Sequence, residues 1–190
     1  MAALIVNLFA GPGAGKSTQA SGLFYRLKMR DVNCELVTEY AKEKTWERNK
    51  TAIESSVYIF GNQVHRQYIC QDQVDVIITD SPLLLAAFYN YLKPKTVQES
   101  LNILIMEVFR AQNNLNIFLN RAKPFSPAGR WQDEKAALDI DRSLREFLED
   151  HQILFTEMGG TPEGLALLET TVLMHLKNHK RKGCDTTCSS

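Results

Sequence analysis

The sequence predicts an α/β fold: a five-stranded parallel sheet with helices on both faces and a lid loop. Three observations predict it. Apolar runs of strand length alternate with stretches of helical period along the chain. A glycine-rich segment, Ala10-Gly11-Pro12-Gly13-Ala14-Gly15-Lys16-Ser17-Thr18, directly follows the apolar run Leu4-Ile5-Val6-Asn7-Leu8-Phe9. Acidic residues, Glu39 and Asp80, stand at the ends of two further strand-like runs, on the rim where such sheets hold their ligands.

Taken in order, 4–9 is the first strand and 16 to about 29 the first helix. After the polar turn Arg30-Asp31-Val32-Asn33, 34–38 forms a second strand, followed by helical pieces near 39–46 and 53–70. Asp75-Val76-Ile77-Ile78-Thr79 is the third strand, and Pro82 opens the next helix, where its missing N–H is harmless. A helix over about 97–111 precedes the fourth strand, 115–119. Residues 120–132 hold two prolines, a glycine and three cations and read as a loop. A charged helix covers 134–150, and the fifth strand is placed at 153–156. Thr161 caps the last helix, with Pro162 at its first position, and that helix is expected to fade near Lys180. The expectation is one domain over 1–180, with 181–190 a disordered tail.

The chain has 190 residues, 44% apolar and 23% charged, the balance of an ordinary globule. Lys plus Arg equals Asp plus Glu at 22 each, so no global charge favours nucleic acid or an acidic membrane. No apolar run is long enough to span a bilayer, and the first residues lack a basic leader. Cys34 and Cys70 read as small core hydrophobes; Cys184 and Cys188 are two ligands at most, too few for a zinc site. The expected compartment is the cytoplasm.

The residue types in the glycine-rich segment point to a phosphate-binding loop. Gly11, Gly13 and Gly15, with Pro12 and Ala14 between them, let backbone N–H groups curl around phosphate oxygens where a Cβ would obstruct. Lys16 brings a cation to the β- and γ-phosphates, and the Ser17 hydroxyl can ligate Mg²⁺. Lys16 is expected to reach into open space until polyphosphate arrives. Ser17 and Thr18 open a helix whose positive end faces the anion. The first glycine of the usual motif is Ala10 here. The expected ligands are ATP and Mg²⁺.

Asp80, after Val76-Ile77-Ile78-Thr79, can hold Mg²⁺ or accept a proton; its plainer reading is a cap on the helix at Pro82. Glu39 ends the second strand and can orient or deprotonate an acceptor hydroxyl; its plainer reading is a first-turn surface glutamate. In Tyr58-Ile59-Phe60-Gly61-Asn62-Gln63-Val64-His65-Arg66-Gln67, Phe60, Asn62, Gln63 and Arg66 could surround a heterocycle, or form the outer face of a core helix. Arg121 and Arg130 bracket a Pro/Gly hinge at 125–129, as in a lid that closes over phosphates. The plainer reading is a basic surface loop.

With these residues in view, the chain resembles the P-loop nucleoside and nucleotide kinases from Leu4 to about Leu168. Residues 10–19 are similar to the loop of adenylate-kinase-like enzymes, and 58–67 to the acceptor helix of thymidylate and deoxynucleoside kinases. Val37-Thr38-Glu39-Tyr40-Ala41-Lys42 resembles a segment of nicotinamide ribonucleoside kinase domains and of phage-encoded AAA-type ATP-binding proteins. Asp80-Ser81-Pro82-Leu83-Leu84 and Gly129-Arg130-Trp131-Gln132 resemble the same phage proteins. The resemblance implies the P-loop NTPase fold and ATP-dependent phosphoryl transfer to a small nucleoside- or nucleotide-like acceptor. Two other readings stand beside it: a kinase acting on a modified base in DNA, which the neutral charge disfavours, and an ATPase switch acting on a protein partner. The oligomeric state stays open; a dimer would fit.

Overall fold

The computed structural model describes residues 2–92, 98–122 and 134–185. The elements run β1 (Leu4–Phe9), α1 (Lys16–Lys28), β2 (Cys34–Val37), α2 (Tyr40–Trp46), α3 (Lys50–Glu54), α4 (Ser56–Gln71), β3 (Val76–Thr79), α5 (Leu84–Tyr91), α6 (Gln98–Arg110), β4 (Asn113–Asn120), α7 (Glu134–Asp150), β5 (Thr156–Gly159) and α8 (Pro162–Asp185). The strands form one sheet in the order β2-β3-β1-β4-β5, and every pairing is parallel. Parallel neighbours need helical crossovers, which cover both faces and bury the middle strands. All six residues of β1 are buried accordingly.

Alternate residues of β1 enter different cores. Leu4, Val6 and Leu8 pack with Leu23 and Leu27 of α1 and with Leu168 and Val172 of α8. Phe9, from the opposite face, joins Leu84 and Phe88 of α5, Ile105 and Phe109 of α6, and Leu144 and Leu148 of α7. Asn7 is a polar residue in this central strand, 1% exposed. It is tolerated because Asn7 Nδ2 donates to Asn114 Oδ1 at 2.8 Å and Asn116 Oδ1 at 3.0 Å on β4.

The structure moves three expected boundaries. β5 is Thr156–Gly159, later than the expected 153–156. Gln152 adopts φ +57 after α7, and Ile153 drops into the core without pairing. Pairing with β4 starts at Thr156, where an edge strand needs backbone partners more than apolar side chains. The helical piece expected at 53–70 is broken at Ser55, whose extended backbone and Oγ cap α4 by accepting the Tyr58 N–H. α8 continues to Asp185, beyond the expected fade near Lys180. No proline interrupts that stretch. Among the described residues no helix is long and apolar enough to cross a membrane.

Candidate active site

β1 delivers the chain at Phe9 into the glycine-rich loop, and α1 leaves it at Lys16. Gly15 caps α1 with φ +95, a left-handed conformation that a Cβ would strain. Gly11 is required for a different reason. A Cβ there would stand 2.7 Å from Asp141 Oδ1 and 3.1 Å from both the Ala137 carbonyl and Arg121 Nη2.

Lys16 does not reach into open space as expected. Its Nζ donates to the Ala10 carbonyl at 2.7 Å and the Gly11 carbonyl at 3.1 Å, folding back over the loop. An ammonium seeks acceptors wherever burial strips its water, and these carbonyls are the ones within reach. Burial pushes the Lys16 pKa down, against the pull of the Glu39, Asp80 and Asp141 carboxylates; Arg121 adds to the lowering.

Asp80 follows β3, the strand hydrogen-bonded to β1, and is 4% exposed. Ser17 Oγ donates to its Oδ2 at 2.5 Å, and the Glu39 N–H donates to its Oδ1 at 3.1 Å. Its oxygens therefore join the loop to the β2 end, while α5 begins with no side-chain cap. The capping reading of Asp80 is set aside. Adjoining hydroxyl and carboxylate oxygens, Ser17 and Asp80, suit a hard divalent cation such as Mg²⁺.

Glu39 precedes α2 without capping it, so its carboxylate is free for other work. It lines an open pocket with Ile59, Phe60, Gln63, Pro82 and Tyr89. Burial raises the Glu39 pKa; Lys16 opposes this and Asp80 reinforces it. Tyr89 is held protonated, its pKa pushed up to about 12 by burial and then by the Glu39 and Asp141 charges.

Of the four candidates on α4, Phe60 and Gln63 reach this pocket. Asn62 instead donates to the Tyr58 carbonyl of its own helix at 2.8 Å. Arg66 pairs with Glu43 at 2.6 Å and lies over the Tyr40 ring, 4.8 Å from its centre. Arg121, just past β4, pairs through Nε with Asp141 of α7 and donates from Nη2 to the Ala137 carbonyl at 3.1 Å. The Gly11 N–H donates to the other Asp141 oxygen at 2.5 Å. Arg130 and the Pro/Gly hinge lie outside the described residues.

Sequence reasoning missed Asp141 and Tyr89. A signal for Asp141 was present: Ala137, Leu144 and Leu148 are the buried face of α7, and Asp141 falls on it at helical spacing. A carboxylate on a buried face calls for a partner. Asp141→Ala should therefore lower stability by about 1–3 kcal/mol, leaving the Arg121 Nε and the Gly11 N–H without their acceptor. That corresponds to a fall of about 2–4 °C in Tm per kcal/mol for a chain of this size. Thermal melting checks it, and an unchanged Tm would mean the pair adds nothing to the fold.

The family model described as an AAA domain matches residues 5–163, well over half of the chain. No curated protein matches it. Among solved structures, a NadR protein in complex with NAD and AMP-PNP is similar over 92% of this chain and 50% of its own, with TM-score 0.67 and 16% identity. A NadR protein in complex with NR is similar over 82% of this chain and 45% of its own, with TM-score 0.61 and 17% identity. This chain thus spans about half the length of those NadR chains. The chain belongs to the AAA domain family, and its nucleotide-binding fold is that of the P-loop NTPases.

Proposed function

We propose that this protein transfers the γ-phosphoryl group of ATP to a hydroxyl of a small nucleoside- or nucleotide-like acceptor. One observation carries the reading: Asp80 bonds to Ser17 of the phosphate loop and to the backbone of Glu39, whose carboxylate heads an apolar pocket. A switch or a simple ATPase has no use for an acceptor pocket past the ends of β2 and β3. The NadR structures, solved with NAD and AMP-PNP and with NR, support a nucleoside-like acceptor.

In this reading the loop amides from Gly13 to Thr18 cradle the triphosphate, and Lys16 exchanges its carbonyl partners for phosphate oxygens. Ser17 and Asp80 would hold Mg²⁺, which when bound supplies positive charge against the triphosphate. The acceptor packs on Phe60 and neighbouring apolar groups. Its hydroxyl oxygen bonds to the γ-phosphorus, its proton passes to Glu39, and the bond to the β–γ bridging oxygen breaks with the electron pair leaving on ADP. Arg121 stabilises the charge on the transferring group, a role the sequence also assigns to Arg130.

The test is acceptor dependence. ADP release is followed with a panel of nucleosides, nucleoside monophosphates, nicotinamide riboside and duplex DNA. A small acceptor should accelerate ADP release; acceleration by duplex DNA alone, or by no compound, would overturn the reading. Arg121→Ala should lower kcat by about 10²-fold or more, with KM for ATP changed by less than about threefold. Initial rates decide between this and a basic surface residue, whose removal moves neither constant.

A further inference from the structure

Gln63 lines the acceptor pocket, yet both polar atoms of its side chain turn away to the backbone on either side of Glu39. The Tyr40 N–H donates to Gln63 Oε1 at 2.9 Å, and Gln63 Nε2 donates to the Thr38 carbonyl at 3.3 Å. The partners fix the orientation of the amide, since an N–H must meet its oxygen and a carbonyl its nitrogen. Gln63 is 4% exposed, so water does not compete for these bonds.

The two peptide planes flanking the Glu39 Cα are both pinned. In the plane between Thr38 and Glu39, the carbonyl is held by Gln63 and the N–H by Asp80. In the plane between Glu39 and Tyr40, the N–H is held by Gln63. With both planes fixed, the direction of the Glu39 Cα–Cβ bond is fixed as well. We infer that Gln63 is a positioning residue for Glu39, and that it does not read the acceptor. The expected acceptor-binding role of Gln63 gives way to this one. The inference rests on the proposed function in taking Glu39 as the group that meets the acceptor hydroxyl.

The variants Gln63→Met and Gln63→Glu test it. Methionine keeps the length and removes both hydrogen bonds. Displacing a catalytic carboxylate by about 1 Å costs on the order of 10²-fold, so Gln63→Met should lower kcat by about that factor with acceptor KM within about threefold of wild type. The order of preference among acceptors should not change. In Gln63→Glu a protonated carboxyl can make both bonds, its carbonyl accepting from Tyr40 N–H and its hydroxyl donating to the Thr38 carbonyl. Its rate relative to wild type should therefore approach one at low pH and fall as pH rises and the donor is lost. A Gln63→Met variant with intact kcat, and either raised acceptor KM or altered acceptor preference, would overturn the inference.

Hydrogen exchange at the Tyr40 amide reads the clamp without turnover. In Gln63→Met, exchange at Tyr40 should accelerate by about tenfold or more while β3 amides stay protected. Unchanged exchange at Tyr40 would also overturn the inference. If the wild-type protein transfers no phosphoryl group to any acceptor, the kinase reading fails, and the Tyr40 exchange still decides whether the clamp exists.

Discussion

Lys16→Ala should lower phosphoryl transfer by about 10²-fold or more while the chain stays folded. The lysine has two duties in this structure, and alanine removes both. In the resting protein its ammonium holds the Ala10 and Gly11 carbonyls and balances the carboxylates of Glu39, Asp80 and Asp141. In the proposed reaction that cation turns to the transferring phosphate, where charge builds up in the transition state. Ala10 and Gly11 are buried, so their freed carbonyls should lower Tm somewhat, while the loss of rate is far larger. Initial rates and thermal melting on one preparation check this. Normal turnover would remove the loop from the donor site.

Glu39→Gln should bind ATP almost normally and lower transfer by about 10²–10⁴-fold, because an amide cannot accept the hydroxyl proton. The raised pKa of Glu39 sets the sign of two further effects. The wild-type rate should fall with decreasing pH at a point above the ordinary glutamate range, as Glu39 takes up its proton. Stability runs the other way. A group whose folded pKa is raised binds protons better in the native state, so ionised Glu39 weakens the fold as pH rises from the ordinary glutamate value through the raised one. Glu39→Gln should therefore raise Tm at neutral pH, with the gain vanishing in acid. Asp80→Asn should instead raise the Mg²⁺ concentration needed for half-maximal rate, since Asp80 stands against the Ser17 hydroxyl. Titrating Mg²⁺ against rate separates the two variants. If Asp80→Asn keeps its Mg²⁺ dependence and loses chemistry, the carboxylates have exchanged roles.

The strand, loop and helix that frame the proposed donor site were legible in the chain because they are local. Leu4–Phe9, the glycine-rich loop and the start of α1 are contiguous, and the strand–loop–helix order alone sets their geometry. Asp80 was legible for a similar reason: an aliphatic strand ends on it, and the sheet rim gathers such ends. The ties across the site were not legible, because they join residues far apart in sequence. Nothing near Gln63 indicates that its amide closes on Thr38 and Tyr40, and Arg121 gives no hint of Asp141 until α7 is laid against the loop. Arg66 read as a base-binding cation, yet Glu43 and the Tyr40 ring take it once α2 packs on α4. β5 was misplaced because Ile153 is apolar for the core and not for the sheet.

The most direct test of the central claim follows the γ-phosphorus of ATP by ³¹P NMR with the acceptor that most accelerates ADP release. The account predicts that the γ signal reappears as a phosphomonoester on the acceptor, one for each ADP formed. Reappearance as inorganic phosphate, with the acceptor unchanged, would contradict it.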